Sequence, residues 1–399
     1  MTHHFSSRFA WDLPPNRISK LIEEKRRAGA AILDLTESNP TRAGFSYPTE
    51  EILQSLANPR ALVYEPSPAG LLEARQAVSD YYAARGHTVG PDRILLTAST
   101  SEAYSYVFKL LASPGDEVLV PQPSYPLFGY LADADSVTVA PYSLVYYGGG
   151  HGGWMLDSES AARASTSRTR AIVVVNPNNP TGSFLKHDEL EALLALCTER
   201  DLAIVSDEVF ADYALAPDPR RVSSLVDVDS VLTFSLSGLS KIAGLPQMKL
   251  GWIVLGGPVP LRRRAMERLE LIADTYLSVG TPVQHALGRL LALGAAVRNQ
   301  IASRVRENYL FLRTETRGEC PCKPLEVEGG WYAILQAPRT KSEEDWCLEL
   351  LDRDSVLVQP GFFYDFESEA FLVLSLLTEP EKFREGVRRL LARINNSSM

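Results

Sequence analysis

The sequence predicts an α/β fold, and two observations support this prediction. Short apolar segments rich in β-branched residues, typical of buried strands, alternate along the chain with longer segments of helical periodicity. The chain of 399 residues is 45% hydrophobic and 22% charged, which is the composition of a globular protein. Its length is sufficient for two or more domains, and it contains no internal repeat and no low-complexity tail.

The predicted elements follow one another in a regular order. They are the strand "RILLT" (93–97), the helix "SEAYSYVFKLL" (101–111), the strands "DEVLVP" (116–121) and "AIVVVNP" (171–177), the helix "KHDELEALLALCTERD" (186–201) and the strand "LAIVSDEVF" (202–210). The second helix has an apolar face formed by Leu190, Leu193, Leu194 and Cys197.

A glycine-rich segment, "YYGGGHGGW" (146–154), has two interpretations. It resembles a nucleotide-binding loop in composition, but such a loop is followed at once by a helix, and no helical pattern follows here. We therefore predict a turn between two strands of a surface hairpin.

The overall charge and the apolar runs exclude several classes of function. The formal net charge is −9, which argues against nucleic acid or an anionic membrane as the main partner. No apolar run is long enough to span a bilayer, and the N-terminal "MTHHFSSRFAWDLPPN" lacks the apolar centre of a signal peptide. Cys320 and Cys322 are too close in sequence for an easy disulfide, and Cys197 and Cys347 stand alone. We expect a reduced, cytoplasmic protein without bound metal.

Polar clusters follow three of the predicted strands, where α/β sheets bind their ligands. Ser99 and Glu102 form a capping-box pattern, which predicts either a plain helix cap or, with Thr100 and Ser101, a cup for an anion. The segment "NPNNPTG" (176–182) predicts a tight loop. Asp207 ends a buried strand, where a carboxylate is costly unless it meets a cation.

A lysine occupies a loop that neither helix nor strand can easily include. Lys241 lies in "SLSGLSKIAGLPQMKLGW" (235–252), where glycine and proline interrupt regular structure. From this fragment alone it is either a solvated surface charge or a nucleophile.

Taken together, these segments resemble the fold type I pyridoxal-phosphate enzymes, and among them the class I/II aminotransferases. The resemblance covers nearly the whole chain in the order of that family: "YEPSPAGLLEAR", "TASTSEA", "PQPSYP", "NPNNPTG", "SDEVF", "GLSKIAGLP", "TPVQHAL" and "VQPGFFY". Each motif is weak alone, whereas eight in the same order are specific.

The resemblance implies pyridoxal 5′-phosphate as cofactor and a role for each matching residue. Lys241 would form the Schiff base with the cofactor and act as the base in catalysis. Asp207 would pair with the pyridine nitrogen, Asn179 would bind the 3-oxygen, and Tyr125 would stack on the ring. The phosphate would be held by Ser99, Thr100, Ser101 and Lys249, and by Tyr64 of a neighbouring subunit in a homodimer with shared active sites.

Three positions depart from the family pattern. Lys249 stands where the family usually has an arginine, and Phe210 where it commonly has a tyrosine that also binds the 3-oxygen. Val373 in "FLVLSLL" takes the place of the arginine that binds the substrate carboxylate, and no arginine occurs between Arg353 and Arg384.

A missing carboxylate clamp leaves three interpretations of the N-terminal loop "ESNPTRAGF" (37–45). Arg42, helped by the backbone of Asn39, could bind the carboxylate; Arg42 could be a solvated loop residue; or the substrate could be an amine without that carboxylate.

The implied architecture is a fold type I transferase with a mostly parallel sheet and helices on both faces. The large domain would span 47–274, and a smaller α+β domain would combine 1–46 with 275–399. The implied reaction moves an amino group from an amino acid to a 2-oxo acid through pyridoxamine phosphate. The alternatives are a lyase that eliminates or decarboxylates, or an amine transaminase. A transcription regulator would need a basic DNA-binding domain, for which the N-terminus has no room.

Overall fold

The computed structural model describes residues 5–9, 14–148, 153–318 and 320–397. Its strands are β1 (Leu33–Asp34), β2 (Ile94–Thr97), β3 (Glu117–Gln122), β4 (Thr138–Tyr147), β5 (Gly153–Leu156), β6 (Thr169–Val175), β7 (Ala203–Asp207), β8 (Thr233–Gly238), β9 (Gly251–Gly256), β10 (Lys323–Pro324), β11 (Tyr332–Gln336), β12 (Val356–Leu357), β13 (Gln359–Pro360) and β14 (Phe371–Ser375). Its α-helices are α1 (Arg17–Arg27), α2 (Thr49–Leu56), α3 (Leu72–Ala83), α4 (Thr100–Leu111), α5 (Phe128–Ala134), α6 (Ser158–Ala164), α7 (His187–Arg200), α8 (Leu239–Ile242), α9 (Val259–Asp274), α10 (Thr281–Glu315), α11 (Glu343–Asp354) and α12 (Pro380–Ser397).

An eight-stranded sheet dominates the fold, with the order β2-β9-β8-β7-β6-β3-β4-β5. The five strands β8, β7, β6, β3 and β4 run parallel, while β9 pairs antiparallel with both β8 and β2, and β5 pairs antiparallel with β4. All the residues of β7 and β8 are buried. Central parallel strands are covered on both faces, so they consist of continuous apolar runs.

Helices cover both faces of this sheet, as an α/β fold requires. On one face, α4, α5 and α9 pack against residues such as Val205 and Phe234. On the other, α3, α8 and α10 pack against the β2–β9 side, and α6 and α7 against the β6–β7 side. The α/β prediction and its mostly parallel sheet are confirmed, and each predicted strand and helix lies within two residues of an observed one, apart from the end of 202–210, where the strand stops at Asp207.

The helix predicted over 186–201 shows how sequence pattern becomes packing. α7 begins after Lys186, whose backbone N–H donates to the Glu189 side chain at 2.6 Å, and it ends at Asp201 in the left-handed conformation. Leu193 and Cys197 are fully buried, whereas Leu190 and Leu194 are half-buried at the edge of the same face.

The predicted hairpin is also present, although part of its predicted turn lies outside the described residues. β4 and β5 pair antiparallel, and Tyr147 lies opposite Gly153. The predicted turn includes residues 149–152, which lie outside the described residues. Within the described parts of the chain, no helix has the length and apolar character needed to cross a membrane.

A second, four-stranded antiparallel sheet has the order β10-β11-β14-β13 and its own hydrophobic core with α1, α11, α12 and the C-terminal half of α10. The 35-residue α10 connects the two cores. Near its middle it passes the loop that follows Lys241, and further on Asn308 donates to the carbonyl groups of Leu376 and Thr378 at 3.0 and 2.7 Å.

α10 lies close to the residues that follow Lys241, and this close approach depends on Gly294. A Cβ atom at this position would lie 2.7 Å from Ala243 Cα, closer than side chains tolerate. We therefore expect Gly294→Ala to lower the free energy of unfolding by about 1–3 kcal/mol, because backbone must shift to admit the methyl group. Urea or thermal unfolding measures this change.

Gly288→Ala is the matched control in the same helix. Its Cβ would lie 3.5 Å from Ala77 Cβ, an ordinary contact. Alanine is favoured over glycine in a helix by roughly 0.5–1 kcal/mol, so this substitution should stabilise the protein. Equal effects of the two substitutions would contradict the close packing of α10 on the lysine loop.

Candidate active site

The polar residues singled out in the sequence meet at the carboxyl ends of neighbouring parallel strands. β6, β7 and β8 lie side by side, and they lead into the loop 176–182, Asp207 and the short helix α8, respectively. The prediction of a loop at Lys241 is wrong, because this residue lies in the one-turn helix α8, three residues after β8 ends. Because the three strands are parallel, these groups share one edge of the sheet.

Asp207 is a buried carboxylate held by two hydrogen bonds. It is 8% exposed, and it accepts from the Tyr104 hydroxyl at 3.1 Å and from the Val209 backbone N–H at 3.2 Å. Burial raises the pKa of Asp207 to about 6, while the two hydrogen bonds and the positive charge of Lys241 lower it. The carboxyl group is therefore mostly ionised at neutral pH, ready to pair with a cation.

Lys241 is shielded from water by aromatic rings. Its Nζ lies 4.7 Å from the centre of the Trp331 ring and 5.6 Å from that of Phe210. Burial lowers the pKa of Lys241 to about 8, and the charge of Asp207 acts in the opposite direction. Roughly a tenth of the amine is then unprotonated at pH 7, far more than for an ordinary lysine.

Tyr213 holds the backbone at Lys241 in place. The Tyr213 hydroxyl donates to the Lys241 carbonyl at 2.6 Å, and the Tyr213 ring packs edge-on against Trp331 at 5.2 Å. Phe210 joins the same cluster, with its ring 5.2 Å from that of Trp331. At position 210 the ring therefore packs, and no hydroxyl is available to donate from it.

The loop after β6 presents Asn179 on a rigid base. The neighbouring Asn178 accepts from the Ser124 hydroxyl at 2.9 Å and donates to the Pro123 carbonyl and the Thr181 hydroxyl at 3.0 and 2.9 Å. Asn179 is only 8% exposed, and its buried Oδ1 atom has no hydrogen-bond partner within the described chain. An orphaned buried amide atom at a strand end fits a site that a polar ligand completes.

The start of α4 is a helix cap, and the first turn that follows it has the free backbone N–H groups that an anion requires. The Ser99 hydroxyl accepts from the Glu102 N–H at 3.1 Å, and the Glu102 carboxylate accepts from the Ala98 N–H at 2.6 Å. The predicted cap is present, although the glutamate binds one residue earlier than in a regular capping box. Thr100 and Ser101 lie in the first turn, where backbone N–H groups point out of the helix.

Tyr125 and Lys249 lie at the rim of this site. Tyr125 is 37% exposed, and its ring packs edge-on against Phe128, with 6.2 Å between the ring centres. The Phe128 ring in turn packs against Tyr104, the residue that donates to Asp207. Lys249 is exposed and has a left-handed backbone with φ of 49°. Two residues later, Gly251 packs so closely on Ser99 that a Cβ would lie 3.3 Å from the Ser99 carbonyl carbon. Lys249 is thus close to the anion cup.

Three of the candidate residues are not part of this cluster within one chain. Tyr64 is 78% exposed on a surface loop. Arg42 is exposed in the N-terminal loop, where its backbone N–H donates to the Asn39 carbonyl at 3.0 Å. The backbone N–H of Asn39 donates to the Glu37 carboxylate at 2.7 Å, so a ligand would have to displace Glu37 to use it.

The sequence did not indicate three residues that complete the site: Tyr104, Tyr213 and Trp331. Their positions in sequence are unremarkable, because Tyr104 is one of several aromatic residues in α4 and Trp331 precedes an apolar strand. Only the contacts across the fold, such as the bond between Tyr104 and Asp207, show their part in the site.

The arrangement fits pyridoxal 5′-phosphate in each of its chemical features. A carboxylate suits the protonated ring nitrogen, the start of α4 suits the phosphate, and a buried lysine of lowered pKa suits the aldehyde. Asn179, with its unpaired amide atom, and the half-exposed ring of Tyr125 offer contacts to the ring between these ends.

Comparisons with known proteins agree with this fit. The model of the family "Aminotransferase class I and II" matches residues 31–390. The chain is 28% identical to the glutamate-pyruvate aminotransferase AlaA of Haemophilus influenzae, over 94% of this chain and 93% of that protein. It is 32% identical to the protein of the same name from Escherichia coli K12, over 69% of this chain and 66% of that protein. The structure of an alanine aminotransferase from Pyrococcus furiosus superposes with a TM-score of 0.86 at 23% identity, over 98% of this chain and all of that chain (100%).

Asp207 and Lys241 each shift the pKa of the other, and this effect can be tested without measuring catalytic activity. Because the carboxylate raises the pKa of the lysine, we expect Asp207→Asn to lower it further below about 8. The measurement is the rate at which an amine-selective reagent labels Lys241 in cofactor-free protein as a function of pH, followed by peptide mass spectrometry.

The exposed Glu50 on α2 provides the control. Glu50→Gln removes a charge of the same sign and should leave the labelling midpoint unchanged. A midpoint that stays the same or rises in Asp207→Asn would show that the two groups do not interact.

Proposed function

We infer that this chain, which belongs to the class I and II aminotransferase family, moves an amino group from an amino acid to a 2-oxo acid. It is an enzyme, a transferase that depends on pyridoxal 5′-phosphate. The observation that best supports the proposed residue roles is the pair of Asp207, which is buried, and Lys241, which is half-buried beside it, with pKa values shifted to about 6 and about 8.

When bound, pyridoxal phosphate supplies an aldehyde for the substrate amine and a ring that accepts electrons from the substrate Cα. The protein supplies charge and position. Asp207, ionised and fixed by Tyr104, holds a proton on the ring nitrogen. Lys241, with its lowered pKa, accepts and returns the proton at the substrate Cα. Trp331 and Phe210 exclude water from this amine.

The remaining proposed contacts surround these two groups. The side-chain N–H of Asn179 donates to the 3-oxygen and Tyr125 stacks on the ring, while Phe210 contributes packing alone. Ser99, Thr100 and Ser101 bind the phosphate through the start of α4, and Lys249 adds a point charge in place of an arginine fork.

The substrates of similar proteins suggest where to begin. Proteins similar to this chain are named glutamate-pyruvate aminotransferase and alanine aminotransferase. Alanine and glutamate are therefore the first donors to test, with pyruvate and 2-oxoglutarate as acceptors. For the α-carboxylate of the substrate we propose Arg42, helped by the backbone of Asn39, because the guanidinium of Arg42 is exposed on the N-terminal loop and Val373 can bind no anion.

We propose a cytoplasmic protein with two domains, and no membrane or nucleic acid as partner. The four cysteines are free, which fits a reducing compartment, and the net charge is −9. The eight-stranded and four-stranded sheets have largely different hydrophobic cores, which supports two domains. We propose residues 47–274 for the large domain and 1–46 with 275–399 for the small one, although the first half of α10 packs with the eight-stranded sheet.

We also propose a homodimer in which Tyr64 completes the site of the partner. The loop that carries Tyr64 exposes apolar side chains, since Leu62 is 91% and Val63 56% exposed. Apolar surface of this kind is typical of a surface that associates.

The role of Lys241 is tested by reducing the bond between the cofactor and the protein, which makes the attachment permanent. Borohydride reduction should attach the pyridoxyl group to Lys241, as located by peptide mass mapping, and Lys241→Ala should abolish turnover. Incubation with alanine or glutamate should convert the absorbance of the cofactor to that of pyridoxamine phosphate. Exposed Lys20 gives the control variant Lys20→Ala, which should keep both properties.

A label on another lysine would overturn the assignment of Lys241. Release of ammonia without formation of pyridoxamine phosphate would instead show that the enzyme acts as a lyase on that donor.

Sharing of active sites is tested by mixing two inactive subunits. A dimer of one Tyr64→Phe and one Lys241→Ala subunit has one site with both lesions and one with neither. Random exchange should therefore restore activity to about a quarter of the wild-type value. No recovery, despite subunit exchange shown by mass spectrometry, would mean that Tyr64 does not serve the partner.

A further inference from the structure

A second cluster of reactive side chains, outside the proposed cofactor site, connects the end of α3 to the segment between β7 and β8 (208–232). His87 lies four residues after α3 ends. Its Nδ1 atom lies 2.6 Å from a carboxylate oxygen of Asp227, and its Nε2 atom lies 3.3 Å from the Ser223 hydroxyl. A serine, a histidine and a carboxylate bonded in this order form the arrangement that activates a hydroxyl group as a nucleophile.

The carboxylate of Asp227 determines which nitrogen of His87 carries the proton. A carboxylate only accepts hydrogen bonds, so Nδ1 of His87 donates to Asp227. In the neutral imidazole the other nitrogen, Nε2, then carries a lone pair, and the Ser223 hydroxyl donates to it. His87 is therefore oriented to remove the hydroxyl proton of Ser223, which is the role of a general base.

The three side chains differ in their exposure to solvent. The side chain of His87 is 11% exposed, and its ring packs edge-on against that of Tyr82, with 6.4 Å between the ring centres. Ser223 and Asp227 are exposed. The base is thus held within the fold, while the nucleophile is accessible to a substrate.

The segment that carries Ser223 is anchored on both sides of this residue. Before it, the Val222 N–H donates to the Leu185 carbonyl at 2.8 Å. After it, the Leu225 N–H donates to the carboxylate of Glu208 at 2.8 Å. A nucleophile on a fixed segment keeps its position relative to the base, and catalysis depends on such positioning.

Two backbone N–H groups lie between these anchors, those of Ser223 and Ser224. Neither has an acceptor among the residues that the structure describes. The N–H groups of a nucleophilic residue and of its neighbour are common donors to the oxyanion that forms during acyl transfer. The segment therefore has donors available for that charge.

A cavity of about 250 Å³ adjoins the nucleophile. His87 and Ser223 both line it, together with Tyr81, Tyr82 and Ala211. In the described chain, none of the residues that we propose to hold the cofactor lines this cavity. Sites for drug-sized ligands have volumes of about 300–1,000 Å³, so this cavity suits a smaller molecule.

The charged side chains that line the cavity are already bonded to other residues. Asp212 accepts from Arg85 at 2.9 and 2.7 Å and from Arg298 at 3.1 Å. Glu208 is buried, and it accepts from the Ser224 hydroxyl at 2.6 Å. A charged ligand would have to break such contacts to find a partner, so the cavity favours an uncharged substrate.

We propose that Ser223, His87 and Asp227 hydrolyse short, uncharged carboxylic esters, an activity separate from the transfer of amino groups. The Oγ atom of Ser223 attacks the ester carbonyl carbon while its proton passes to Nε2 of His87. The bond from that carbon to the alcohol oxygen then breaks, and the alcohol leaves with the proton. Water, deprotonated by Nε2, next attacks the acyl-serine, which releases the carboxylic acid and restores Ser223.

Hydrolysis of phenyl acetate by the holoenzyme, with phenol measured by chromatography, tests this activity. We expect Ser223→Ala and His87→Gln each to lower kcat by about 100- to 10,000-fold, because both act on the reacting atoms. Asp227 is a positioning residue that acts through His87, so Asp227→Asn should lower kcat by at least about tenfold and leave KM within about twofold. Ser230→Ala, at an exposed serine of the same segment, is the control and should change neither value.

A fluorophosphonate identifies the nucleophile directly. This reagent transfers its phosphonyl group to an activated hydroxyl with loss of fluoride, and peptide mass mapping should locate the group on Ser223. His87→Gln should slow this labelling by at least about a hundredfold, because the base is missing. The conversion of the cofactor by alanine or glutamate should be the same in Ser223→Ala as in the wild type, which shows that this variant is folded.

Three results would overturn the proposal. The first is hydrolysis by the wild-type protein that is no faster than in buffer alone. The second is the absence of a phosphonyl group on Ser223, the result expected if the hydrogen bond to His87 only connects α3 to the segment. The third is hydrolysis that Ser223→Ala leaves unchanged, because another nucleophile, such as Lys241, would then be responsible.

Discussion

Burial of two opposite charges at neighbouring strand ends is the constraint around which this protein is organised. Asp207 is buried and Lys241 is half-buried, and their pKa values move toward each other, to about 6 and about 8. Such a pair is costly unless each member is held and a ligand is matched to both. Tyr104 and Tyr213 hold the carboxylate and the lysine backbone, so the hydroxyl groups of two buried tyrosines stabilise the arrangement before any ligand binds.

Much of this site could be predicted from sequence because it depends on local patterns. A strand that ends in Asp207, a capped helix after Ser99 and a glycine-bounded lysine each leave a signature within ten residues. Tyr104 and Trp331 leave none, because their roles arise from contacts across the sheet with residues about a hundred positions away.

The structure shows the surroundings of Phe210 and Val373, two of the positions that depart from the family pattern. Phe210 is packed between Trp331 and Tyr213, so the loss of a hydroxyl group at that position accompanies a larger aromatic cluster around the lysine. Val373 is part of the core of the four-stranded sheet, where an arginine would place a charge among apolar side chains unless a ligand met it. At both positions a side chain that packs replaces one that would make a polar contact.

α10 is long enough to contact both the residues that follow Lys241 and the N-terminal loop. This single helix spans about 52 Å, with Gly294 against the lysine loop and Asn308 bonded to the segment after β14. Its Arg304 also donates hydrogen bonds to the carbonyl groups of Ala43 and Leu377, so the N-terminal loop is attached to the same helix. Gly294 and Arg304 are ten residues apart, which is roughly 15 Å along a helix. The residues after Lys241 and the N-terminal loop therefore rest on the same short stretch of α10, and a shift of this stretch would move both.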